Sequence, residues 1–193
     1  MRRSRRFSLG LALGCFALAW ALVLGAGRGT GEDRRSLPER LVGPFAGLLA
    51  SVQWVRADLA LREGRLGTFC ERAETALALA PADPQAWIYY ANTLIWARAA
   101  PDRERRESWV RAGLEVLGRA ERECANPAEI WAYEGGVFFA LSLMSAEERP
   151  WPGEPRELLE HAIEAFARAR ALGHPQAAVL EQALRERLAE LKR

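Results

Sequence analysis

His161 and His174 are the only histidines in the chain, and each stands where a helix uses imidazole without doing chemistry. His161 lies beside Glu160 and one turn from Glu164. His174 sits in "LGHP" at a helix end, where an imidazole hydrogen-bonds terminal carbonyls. A metal centre needs three or four His, Cys, Asp or Glu at short helical or loop spacings, and no such cluster occurs in the sequence. "GxSxG", "HExxH", Walker-type and "CxxCH" patterns are also missing. No serine has a base near it in sequence. The many carboxylates alternate with arginine as solvated helical ion pairs do. Neither an enzyme, nor a metal, nor a cofactor, nor a small-molecule substrate is expected. Cys70 and Cys124 fall in separate helical runs. They are either two unpaired thiols or, in an oxidising compartment, a bond stapling neighbouring helices.

With chemistry set aside, the residues are arranged for packing. The chain has 193 residues and a formal net charge of +2, so no bulk electrostatic reason points to nucleic acid. Ala, Leu, Glu and Arg, all good helix formers, dominate the body. Alternating β-branched runs, the usual strand signal, are missing. The body reads as all-α.

The first residues read differently. Arg2, Arg3, Arg5 and Arg6 precede an uncharged apolar run over residues 7–27. Its length matches the ~20 residues that a helix needs to cross a bilayer. A signal anchor is the reading, with a cleavable signal ending at "LGAG" as the alternative. The basic flank keeps the N-terminus cytoplasmic and places the body outside the cell membrane. Residues 28–40, including "GRGTGEDRRS", form a Gly-rich, charged linker. The domains are therefore 1–27 anchor, 28–40 linker and 41–193 helical domain.

Within that domain "ALALAPADPQAW" ends one helix at Pro81 and restarts another at Asp83 and Pro84. Asp83 serves as cap, and the missing N–H of Pro84 falls where no bond is lost. Trp87, Tyr90, Ala91 and Leu94 follow at intervals that alternate large and small. Trp131, Gly135 and Phe138 repeat the spacing, with Glu134 where an apolar residue would be expected. On the second helices the pattern is small, large, small: Gly113, Leu117 and Ala120, then Ala162, Phe166, Ala169 and Pro175. The first unit is weaker; it lacks the Trp, and Phe69 and Ala73 have their sizes exchanged. Close helix pairing needs a small residue opposite a large one.

This arrangement resembles the tetratricopeptide repeat (TPR) family. The resemblance covers residues 48–175. It implies a short right-handed α-solenoid of about three TPR-like hairpins, with longer connections in "ARAAPDRERRES" and "SLMSAEERPWPGEPRE". The apolar positions Ala177, Leu180, Leu184, Leu188 and Leu191 form the stripe expected of a C-terminal capping helix. Trp87 and Trp131 are expected in the core. The resemblance also implies a concave groove lined by first helices. On or near that face stand Trp54, Asp58, Tyr89, Asn92, Trp96 and Tyr133, with Phe139 beside them, aromatics with a few polar groups, suited to a peptide or partner helix. The expected function is a membrane-anchored interaction scaffold of a bacterial cell envelope. A structural or assembly subunit of a membrane complex is the main alternative.

Overall fold

Pro81 and Pro84 separate two helices in the computed structural model, which describes residues 45–98 and 104–191. Asp83 is extended, its Oδ1 accepts the Gln85 N–H at 3.0 Å, and Pro84 opens the next helix. The described residues hold seven α-helices and no strand. They are α1 (Ala46–Arg62), α2 (Leu66–Leu79), α3 (Pro84–Asn92), α4 (Arg106–Glu123), α5 (Ala128–Leu143), α6 (Pro155–Ala171) and α7 (Ala177–Glu190). α3 runs on without a break into a π-helical turn, Thr93–Arg98. Gly64 and Gly173 adopt positive φ after α1 and α6, where the N–H of the next residue reaches back to Ala60 and Ala169 carbonyls and closes each helix.

The helices pair in chain order: α1 with α2, α3 with α4, and α5 with α6, while α7 lies on α6. The expected size alternation is what lets them approach. A Cβ on Gly135 would stand 2.9 Å from the Phe166 ring. A Cβ on Gly113 would collide with Ile95 and stand 3.0 Å from the Ala91 carbonyl. Trp87, Tyr90, Ala91, Leu94, Leu117, Ala120, Phe138, Ala162, Phe166 and Ala169 are all buried. The atypical first unit packs as well, with Phe69 fully buried and set edge-on to Tyr90 at 5.7 Å.

Three expectations need correction or completion. Trp131 is half-buried, not core; its neighbour Ile130 is the fully buried residue. The reason lies in what covers each indole. Trp87 donates its N–H to the Pro81 carbonyl at 2.8 Å and lies under Arg119, which Glu74 of α2 grips through both oxygens at 2.8 and 2.7 Å. Trp131 has Arg168 over it at 4.4 Å, but Arg168 pairs with Glu164 of its own helix. The cap differs too. α7 buries Ala177, Glu181 and Leu184 while Leu180 and Leu191 stay exposed, because Glu181 is drawn inward between Arg170 and Arg185 at 3.0 and 2.7 Å. Cys70 and Cys124 are unpaired; the Cys124 thiol points to the Pro81 carbonyl at 3.7 Å, and burial raises its pKa.

The connection after α5 folds onto the start of α4. Arg149 is buried and ties this loop together through the Met144 carbonyl at 3.0 Å and the Gly153 carbonyl. Arg106 reaches the Glu147 carbonyl at 2.9 Å, and Arg111 covers Trp151 at 5.5 Å. Among the described residues no helix is long and apolar enough to cross a membrane; the expected anchor, 7–27, and linker, 28–40, lie outside them.

Candidate functional site

The first helices α1, α3 and α5 carry the residues expected on the concave face, and the structure joins most of them across helix boundaries. Tyr89 of α3 donates its hydroxyl to Asp58 Oδ1 of α1 at 2.6 Å, and its ring meets Trp54 edge-on at 5.5 Å. One hairpin later Tyr133 of α5 donates to Asn92 Oδ1 of α3 at 2.8 Å. Both tyrosines stand two residues after a Trp of their own helix, so a similar rung joins α1 to α3 and α3 to α5. Burial and the Asp58 carboxylate push Tyr89 up to about 12, and burial pushes Tyr133 to about 12. Both hydroxyls therefore remain protonated donors across the physiological range. A second device recurs with them: the arginine immediately before Ala120 of α4, Arg119, and before Ala169 of α6, Arg168, lies over the Trp of its own hairpin.

Beyond the rungs a hollow of about 780 Å³ opens across α3, α5 and the start of α7. Trp96, Tyr133, Phe139, Ile88 and Leu180 supply its apolar walls. Ala132, Gly136 and Ala140 form a floor of small residues along α5. Gln85 and Glu129, bonded to one another, and His174 supply polar groups at the rim. His174 is also a structural residue, since its Nδ1 accepts the Gln176 N–H at 3.4 Å at the start of α7. No residue of the 144–154 connection lines this hollow.

The six residues expected to form one groove thus divide. Trp96 and Tyr133 line the hollow; Trp54, Asp58, Tyr89 and Asn92 do not, since Asp58, Tyr89 and Asn92 are engaged in the rungs and Trp54 packs edge-on to Tyr89. Phe139, expected on or near the same face, also lines the hollow, whereas sequence reasoning missed Ile88 and the small-residue floor. Their signal was present as the one-sided spacing Ala132, Gly136, Ala140, where each residue falls one turn after the last.

Behind α5, away from the hollow, Glu134 is half-buried and its carboxyl is pushed up to about 7. Burial is the main cause, followed by Glu121 of α4; Arg168 of α6 opposes the shift and Glu164 adds to it. Burial also raises Glu121. Among the described residues no three His, Cys, Asp or Glu side chains converge to hold a metal ion.

No protein-family model matches the chain, and neither does any curated protein or any solved structure.

Proposed function

We propose that the protein is a membrane-anchored, TPR-like interaction module that grips an apolar segment of a partner protein in the hollow between α3, α5 and α7. The observation that carries this reading is the hollow itself: about 780 Å³ with aromatic walls, a floor of small residues and few polar groups at the rim. Such a cleft fits the apolar face of a helix or an extended peptide. The two recurring devices, the tyrosine rungs and the arginine-covered Trp, support a repeat architecture, in which each hairpin presents an equivalent first helix. The apolar run at 7–27 with its basic flank supports a single-pass anchor, with the helical domain outside the membrane.

A photo-crosslinking amino acid at Ala140 of the floor, in the full chain in cells, tests the hollow. It yields a discrete adduct, whereas the same probe at exposed Arg122 of α4 does not. Trp96→Ala with Phe139→Ala removes the Ala140 adduct while helicity persists. Equal labelling at both positions refutes the hollow as the binding site. Carbonate extraction tests the anchor independently; a chain found in the soluble fraction refutes it.

A further inference from the structure

α1 is apolar on two opposite faces. Toward α2 it buries small residues, with Ala50, Ala57 and Ala60 at 4, 0 and 1% exposure. On the far side Phe45 at the N-cap, Leu48, Val52, Val55 and Leu59 are 52, 66, 40, 69 and 54% exposed, with Leu49 beside them. The intervals between these five run three, four, three, four. That is the a/d seam of a heptad repeat, and Ala50 and Ala57 take the position diametrically opposite. The Leu and Val side chains of this stripe therefore face water while the alanines opposite face the core, with Trp54 and Leu61 half-buried between.

The spacing identifies the kind of surface that covers the stripe. A narrow a/d seam is read by another helix, whose side chains insert between its knobs. A helix lying on lipid instead carries a wide apolar arc edged by Lys and Arg. The edges here are Ser51, Arg56 and Asp58, neutral overall, so a copy of the stripe meets no wall of like charge. In a parallel pairing Ser51 of one helix faces Arg56 of the other.

The area sets the strength. Six apolar side chains about half exposed offer roughly 500 Å² per copy, so a pair buries about 1,000 Å², near the lower limit for a specific interface. Such a contact is weak in dilute solution and becomes effective when both chains are held together. The chain ahead of the stripe supplies the means. Residues 7–27 are the apolar run, residues 28–44 join it to Phe45, and every copy anchored this way presents α1 with the same polarity.

We propose that α1 pairs with α1 of a second copy, parallel and in register through Phe45, Leu48, Val52, Val55 and Leu59. The polarity of the pair rests on the anchored reading above; the contact itself does not.

The test uses the full chain in its membranes, with Cys15, Cys70 and Cys124 replaced by Ser, Ala and Ala and one new cysteine added. Under mild oxidation Leu48→Cys alone and Leu59→Cys alone each form a disulfide-linked dimer. Glu71→Cys, exposed on α2, forms none above background. Adding Val52→Asp to Leu48→Cys abolishes the dimer, while circular dichroism stays at the parent value. A dimer that forms only when Leu48→Cys and Leu59→Cys chains are mixed means antiparallel helices and overturns the register. No dimer at either position, in chains that still sediment with the membrane, overturns the pairing and leaves another protein, or the chain's own N-terminal residues, as the cover. Fractionation of the same sample reads the anchor separately, so a soluble chain that still forms both dimers keeps the pairing and refutes only the anchor.

Discussion

Trp87 and Trp131 occupy the same place in two hairpins but not the same environment, and replacing each by alanine separates the two. The Trp87 indole is 2% exposed, donates a hydrogen bond to Pro81 and lies 5.2 Å beneath Arg119. Trp87→Ala empties a buried site and removes both contacts, a change of about 3–5 kcal/mol for a large aromatic. In a protein of 193 residues each kcal/mol moves the melting temperature by roughly 2–4 °C, so Tm falls by about 6–20 °C. Trp131 is half-buried and has the Arg168 guanidinium at 4.4 Å. Its loss removes partial burial, about 1–1.5 kcal/mol, and a cation–π contact of about 0.5–1 kcal/mol, so Trp131→Ala costs about 2 kcal/mol. Thermal unfolding of the detergent-solubilised chain, followed by circular dichroism, measures both. Equal losses at the two positions refute the argument from what covers each indole.

Glu134 has its pKa raised in the folded state, from 4.5 to about 7, so the native form holds a proton that the unfolded chain has released between those values. Stability therefore falls as pH rises through that window, by up to about 3 kcal/mol, and Glu134→Gln removes the dependence in urea titrations at pH 5 and 8. Gly135→Ala drives a Cβ to 2.9 Å from the Phe166 ring and costs about 1–2 kcal/mol net, whereas Gly136→Ala meets nothing within 4 Å and stabilises by up to about 1 kcal/mol of helix propensity. Arg149→Met frees the Met144 and Gly153 carbonyls and loosens residues 144–154, and limited proteolysis then cuts there first while helicity holds.

The hairpin joints were legible because their causes are local. Asp83 and Pro84 fix a helix start by their own hydrogen-bonding groups. Gly135 announces a close neighbour by its size. What the sequence left hidden depends on which of two apolar arcs turns inward. α1 offers both an alanine arc and a Leu/Val arc, and hydrophobicity alone favours burying the larger. The structure buries the alanines because the α1–α2 contact is close. α7 hid its orientation for the opposite reason: Glu181 lies in the buried stripe, and only arginines on both sides, one from another helix, make that tolerable. The residues expected to face a partner divide between the rungs and the hollow. Their bonds to one another were invisible, because a tyrosine hydroxyl shows its acceptor only once two helices are side by side.

The turn Thr93–Arg98 is, in effect, a counting error preserved in the chain. A π turn accommodates one residue more than the α turns before it, which is how a helix absorbs a single-residue insertion without looping out. Thr93 spans its start, donating its hydroxyl to the Tyr89 carbonyl at 2.9 Å. The wider winding shifts the residues inside the turn from their places on an ordinary α-helix wheel, by up to the angle of one residue, about 100°. Trp96 stands inside it, three residues past Thr93. The wall that Trp96 gives the hollow is thus set by how many residues precede it as much as by its being a tryptophan. Deleting one residue from the turn would let the ladder close into ordinary α-helix and swing the indole away, leaving the helix whole and the hollow open on that side.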